Sequence, residues 1–241
     1  MSSDDLRRAK AYPFRIPPRS YVVSDGDHQE LAPCAPMPDV ADCRAVLAIG
    51  SNQSPEQLLR KFPGSEWGEI IVTRARLSDF DIVYSPHVAS YGSIPATLCH
   101  SPGTTVTLFV NWLTPEQENR MHETEVATGN YDFGKLDGIE LEMDGGPKLS
   151  SVHFYCSRRG SFTHNGGPVA LAEVEAEGRK WPSLNQEEIQ ALARDQVAPE
   201  LSVDQFIEEA IANFSVRKNR TEALMADRLP FNFSGFTPIE V

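Results

Sequence analysis

The sequence predicts an α+β fold, and three observations predict it. Runs rich in β-branched and aromatic residues crowd positions 45–174. Helix-start signals of the type Ser/Thr/Asn-x-x-Glu/Gln recur along the chain, and the last quarter reads as helical. Strands grouped before helices suit a sheet with helices packed against it rather than an alternating parallel sheet.

Residues 1–42 carry Pro13, Pro17, Pro18, Pro33, Pro36 and Pro38 and no sustained period, so an extended N-terminal arm is expected there. Such an arm lies along the domain or reaches a partner subunit, which would support a homo-oligomer. A strand is expected over 45–49, followed by a Gly50-Ser51-Asn52 turn. Ser54-Pro55-Glu56-Gln57 then combines a capping box with proline at the first helical position, predicting a helix over 55–62. Strands are predicted over 70–77, 79–84 and 96–98, with 104–113 (TTVTLFVNWL) as the central one. Thr114-Pro115-Glu116-Gln117 repeats the capping pattern and starts a helix that ends before Gly129. Between 138 and 174 three strands separated by glycine-rich turns read as a meander. Asn185-x-x-Glu188 and Ser202-x-x-Gln205 open two further helices. In the second, Val203, Phe206, Ile207, Ala210, Ile211 and Phe214 share a face expected to pack on the domain. The aromatic tail is expected to dock. The divisions are an arm over 1–42, a domain over 43–175 and a helical extension over 176–241.

At 241 residues and 40% hydrophobic composition, the chain is long enough to bury a sizeable core. A net charge of -12, with no local basic run, argues against a nucleic-acid partner, since that affinity rests on Lys and Arg displacing counterions. No apolar stretch approaches the roughly 20 residues that span a bilayer, and residues 1–10 lack a signal-peptide core, so a cytoplasmic protein without a membrane partner is expected. Cys34, Cys43, Cys99 and Cys156 have neither disulfide-scaffold density nor zinc-site spacing and read as free thiols.

Gly50-Ser51-Asn52 lacks the Gly-Lys-Ser/Thr of a phosphate loop and the three glycines of a dinucleotide fingerprint. Two readings remain open. Its backbone N–H groups, placed before a helix, suit a carboxylate or a developing oxyanion; equally, it is a plain strand-to-helix turn that uses Gly50 for its backbone angles. His122-Glu123-Thr124-Glu125-Val126 fails as a zinc helix because Val126 stands where the second histidine belongs. Glu123 and Glu125 then sit against the negative end of a helix dipole, unfavourable unless one of them serves a purpose. Cys156 and His153, three apart on a strand, point to opposite faces, and His164 reaches Cys156 only by a fold-back, so a thiol mechanism is disfavoured. Ser51 and Ser93 each follow a glycine without forming a nucleophile elbow. Arg74 and Arg76 are candidates for a substrate carboxylate or for a plain strand surface.

Taken in order, the Gly50-Ser51-Asn52 turn, Leu58-Leu59, Ala75-Arg76-Leu77-x-x-Phe80-Asp81-Ile82, Pro95-Ala96-Thr97-Leu98, Pro102-Gly103 before 106–113, and Glu125 six residues before Tyr131 resemble the gamma-glutamylcyclotransferase-like family over about residues 43–135. Ile49 stands where that family usually has tyrosine, and Val126 where glycine is frequent. The resemblance implies a small mixed β-barrel with flanking helices. It further implies cleavage of a γ-glutamyl amine or peptide to 5-oxoproline, with Glu125 as the acid/base and Ile49, Gly50, Ser51, Asn52 and Tyr131 around the substrate. Neither metal nor cofactor is implied, because the substrate's own α-amine is the nucleophile. Two other outcomes stay open: a γ-glutamyl amide hydrolase releasing glutamate, and a catalytically inactive binding or assembly module on the same fold.

Overall fold

In the computed structural model, residues 3–33 and 35–241 are described. The β-branched run around Val106 and Val110 does form the longest strand, but that strand is longer than its sequence pattern. β5 (Ala96–Leu113) pairs antiparallel along nearly all of β4 (Ile70–Tyr84). The breaks expected near 79 and near 103 are absorbed rather than obeyed. Asp79 takes a positive φ at a bulge between Ser78 and Phe80, and its carboxylate accepts the Gly103 N–H at 2.7 Å. Two predicted pairs of strands are therefore two continuous strands, paired with each other as one ribbon.

β5 also pairs with β3 (Arg44–Ala48), which runs parallel to β7 (Lys148–Ser157). β7 pairs with β6 (Tyr131–Met143), and β6 returns to β4. The circuit β5-β3-β7-β6-β4-β5 closes, giving a five-stranded mixed barrel. With six helices among the described residues, the class is α+β as expected from the sequence. Strand alternation divides the apolar side chains. Leu47, Leu77, Leu108, Leu136 and Phe154, one from each strand, meet in one cluster, the barrel interior. Val46, Phe109, Phe133 and Tyr155 face the other way and pack under Leu58 of α2 (Pro55–Lys61), Phe62 just after it, and Met121 of α3 (Pro115–Glu125).

Residues 3–42 are not a continuous extended arm. They hold α1 (Ser3–Lys10) and a hairpin of β1 (Tyr21–Ser24) and β2 (Asp27–Glu30), with β1 added to the sheet beside β4. Ala9, Tyr12, Phe14 and Tyr21 are buried, so this segment belongs to the core, each large side chain contributing on the order of 1.5–3 kcal/mol. The prolines punctuate the segment without preventing a helix ahead of Pro13.

The C-terminal helices are α4 (Gln186–Val197), α5 (Val203–Ala212) and α6 (Phe214–Leu224). Asn185 and Ser202 cap the first two with reciprocal capping boxes, as their spacing predicts. The predicted apolar face of α5 holds for Phe206, Ile207 and Ala210, which are fully buried, but not for Phe214, which is 68% exposed. Asn213 interrupts the helix and its side chain caps a new one, α6, which the sequence reading did not separate. Buried Gln190 of α4 donates to the carbonyls of Ala9 and Gly92. The Thr221 hydroxyl of α6 accepts the Val88 N–H at 3.2 Å. These bonds fasten the helices to α1 and to the 85–95 loop, against the open side of the barrel. The terminal strand Phe236–Pro238 pairs with β6, so the tail is docked.

Candidate active site

Where β3 ends, the chain enters a short 3-10 turn, Ser51–Gln53, before α2 begins. The 3-10 turn tightens the expected strand-to-helix junction and leaves the N–H groups of Gly50, Ser51 and Asn52 without a hydrogen-bond acceptor among the described residues. Gly50 is required by a close approach: a Cβ there would overlap the Tyr12 hydroxyl and lie 3.3 Å from its ring carbon Cζ. That hydroxyl accepts the Ala96 N–H at 2.7 Å. A phenol from the N-terminal segment is thus held against the turn, beside Ile49.

Glu125 is the last residue of α3, and its side chain is 15% exposed. Its Oε1 accepts from Asn52 Nδ2 at 2.9 Å and also from Lys61 Nζ, a lysine with a side chain 7% exposed. Oε2 has no protein hydrogen bond among the described residues. A carboxylate held by one oxygen and open at the other can exchange a proton with a bound molecule. Glu123 lies on the outer face and pairs with Arg120 at 2.6 Å. His122 turns inward instead, with Nδ1 2.9 Å from the Tyr155 hydroxyl and its ring against Phe133.

Both the turn and Glu125 line one cavity of about 880 Å³, within the range of small-molecule sites. Tyr12, Tyr91, Tyr131 and Tyr155 add a ring of phenols, all with pKa values raised above the ordinary tyrosine value by burial. The Glu125 carboxylate reinforces the upward shift at Tyr131, Tyr91 and Tyr155. Each therefore stays protonated at neutral pH and can donate a hydrogen bond. No hydrogen bond joins Tyr131 to Glu125 among the described residues; Tyr131 packs edge-on to His87, ring centres 6.4 Å apart. His87 itself is pushed down to about 3 by burial, with the Arg159 guanidinium adding to the effect.

The cavity brings together all six residues that the resemblance singled out: Ile49, Gly50, Ser51, Asn52, Glu125 and Tyr131. Other candidates fall elsewhere. Arg74 pairs with Asp144 and Glu175, and Arg76 with Glu177, on the barrel surface. Cys156 is buried with its thiol pushed up to about 12 by burial and the nearby Asp132, while His153 stacks on Phe133 on the opposite face. Cys43, Cys99 and Cys156 are free thiols; Cys34 lies outside the described residues. Among the described residues no three His, Cys, Asp or Glu side chains converge as metal ligands would. Sequence reasoning missed Lys61, Tyr12 and Arg159. Nothing local in the sequence marks any of the three: the partner of Lys61 stands 64 residues away and that of Tyr12 84 residues away.

No protein-family model and no curated protein matches the chain. Among solved structures, a gamma-glutamyl cyclotransferase is similar at 17% identity and a TM-score of 0.41, over 80% of this chain and 92% of that one. An uncharacterized protein from Homo sapiens is similar at 15% identity and a TM-score of 0.41, over 80% and 92% of the two chains. A gamma-glutamyl cyclotransferase specific to glutathione from yeast aligns at 13% identity and a TM-score of 0.34, over 78% and 97%. The chain is thus similar, at low identity, to gamma-glutamyl cyclotransferase structures over most of its length.

Proposed function

We propose that this chain cleaves γ-glutamyl amines or peptides by intramolecular cyclisation, releasing 5-oxoproline and a free amine. The observation that carries the reading is a carboxylate fixed through one oxygen by Asn52 and Lys61, with its second oxygen open to a cavity shared with three acceptor-free backbone N–H groups. In the reaction the substrate's α-amine attacks its own γ-carbonyl. The new C–N bond closes a five-membered ring, and the old C–N bond breaks. Two protons leave the attacking ammonium, which ends as the lactam N–H, and two reach the leaving nitrogen, which departs as an ammonium; Glu125 Oε2 relays them. No protein nucleophile is needed.

The remaining work is conformational and electrostatic. Folding the γ-glutamyl chain back on itself removes the entropy that a free substrate must lose, and donors at the developing oxyanion lower the barrier further. In this reading the N–H groups of Gly50, Ser51 and Asn52 hold the γ-glutamyl group beside Ile49, and the Tyr131 hydroxyl supplies a further donor.

Product analysis on a panel of γ-glutamyl amines and dipeptides tests the reading. Formation of 5-oxoproline in a one-to-one ratio with the released amine is expected. Glutamate in its place would make the chain an amide hydrolase, and the absence of any product would leave a binding role for the cavity.

A further inference from the structure

The chain carries a net charge of -12, yet its principal cavity is lined by eight Lys and Arg side chains and only two carboxylates, Glu125 and Glu222. Five segments far apart in sequence supply the cations. Most are compensated locally. Lys61 pairs with Glu125, and Lys218 with Glu222 one turn away at 3.7 Å. Arg60, Arg120 and Arg158 pair with Glu56, Glu123 and Asp132, which stand just outside the cavity. Three guanidiniums are left with no carboxylate in ion-pair range among the described residues: Arg8, Arg159 and Arg217.

Each of the three is nevertheless held in place. Arg159 donates to Asn130 Oδ1 at 2.6 Å, Arg217 donates to the Ala210 carbonyl at 2.5 Å, and Arg8 lies over the Tyr91 ring at 4.8 Å. A planar guanidinium fixed through one N–H keeps its remaining donors for a carboxylate or phosphate. Arg159 and Arg217 are part-buried, and burial pulls the Arg159 pKa below the ordinary arginine value; Arg8 is exposed but its guanidinium is held over the Tyr91 ring. A desolvated cation without a counter-charge is unfavourable unless an anion arrives. Arg8 and Arg217 stand with it around the same cavity, on α1 and α6.

We infer that the cavity takes γ-glutamyl conjugates whose leaving amine is itself dianionic, read by Arg8, Arg159 and Arg217. Three uncompensated cations match three negative charges. The α-carboxylate of the γ-glutamyl group supplies one, and the leaving amine supplies two, as a pair of carboxylates or one phosphate monoester. The inference rests on the cyclotransferase reading for the identity of the γ-glutamyl part, whereas the anion selectivity follows from the charges alone.

The test compares γ-glutamylethylamine, γ-glutamylalanine, γ-glutamylglutamate and γ-glutamyl-phosphoethanolamine, whose leaving amines carry no, one, two and two negative charges. With the wild-type chain, kcat/KM is expected to rise at least tenfold from the neutral to the dianionic leaving amines, mostly through KM, and the advantage should shrink as salt screens it. Arg159→Gln and Arg217→Gln should each reduce the dianion-to-neutral ratio several-fold. The glutamate and phosphoethanolamine arms separate two carboxylates from a phosphate. Equal kcat/KM across the series, or a preference for the neutral amide, overturns the inference while leaving the cyclotransferase reading intact. Calorimetric titration of the same four amides covers the other failure. If none is turned over but the dianions bind at least tenfold more tightly than the neutral amide, the reaction assignment falls and the anion site stands; if none is turned over and binding is equal, both fall.

Discussion

Tyr12 and Gly50 illustrate how a single atom decides a residue. An alanine Cβ at position 50 would overlap the Tyr12 hydroxyl, so the phenol must move and release the Ala96 N–H. Gly50→Ala is expected to lower stability by about 1–3 kcal/mol, the range for overpacking. Tyr12→Phe leaves the buried Ala96 N–H unpaired and costs a similar amount. The two are not independent, because removing the hydroxyl removes the collision. Urea denaturation of wild type, both singles and the double variant should show the double less destabilised than the sum, by at least about 0.5 kcal/mol; strict additivity would contradict the contact. A turn before a proline-started helix and two carboxylates in a last helical turn are local patterns legible in the sequence, and the family resemblance chose Glu125 over Glu123; the structure places Gly50, Asn52 and Glu125 at one cavity. The Tyr12 approach to Gly50 was not legible: it comes from a side chain of the N-terminal segment. Lys61 and Tyr12 were invisible for the same reason, since their partners stand 64 and 84 residues away.

At the scale of elements, helix starts were readable and strand ends were not. Thr114, Asn185 and Ser202 each form the reciprocal cap that their spacing predicts, because a cap is satisfied within four residues. The capping box expected at Ser54 does not form: α2 starts at Pro55 as expected, but the Ser54 hydroxyl caps nothing. Thr114→Ala removes the cap of α3, the helix that delivers Glu125 at its far end, and should cost about 1 kcal/mol. Thermal unfolding is expected to show a loss of roughly 2–4 °C for a chain of this size. An unchanged midpoint would mean that tertiary packing alone holds the first turn. The strands ran through their apparent stops because Asp79 and Gly103 bond to each other across the ribbon, a contact no window of sequence contains. Phe214 misled for the opposite reason. It continues the apolar period of α5 although Asn213 has already begun α6, and so an aromatic expected in the core stands at the cavity rim.

For the whole molecule, net charge was a poor guide to the site. The acidic total concealed a cationic cavity, because its arginines and lysines come from α1, α2, α3, the end of β7 and α6 and meet only after folding. The same burial sets a pH dependence. His87 is pushed from the ordinary histidine value of 6.5 down to about 3, by burial first and by Arg159 second. Burial also lowers His122 and His153, each with a smaller contribution from Arg44. A histidine kept neutral in the folded state is protonated more readily in the unfolded state, so the unfolded chain binds more protons between pH 6.5 and about 3. Its contribution is complete above pH 6.5 and is lost as pH falls through that window. The urea midpoint should therefore drop on acidification, and His87→Gln should flatten that limb; an unaltered slope would mean that His87 is not the group responsible. The central claim, that Glu125 moves the proton in a cyclisation, is tested most directly by Glu125→Gln. Because that change leaves Lys61 buried without its partner, Glu125→Gln with Lys61→Met is made alongside, replacing the ion pair by neutral groups of similar size. Release of 5-oxoproline from a γ-glutamyl dipeptide is measured for wild type and both variants, with folding checked by circular dichroism. The account predicts folded variants whose rates fall by roughly 10²–10⁴-fold; a folded variant working at the wild-type rate would contradict it.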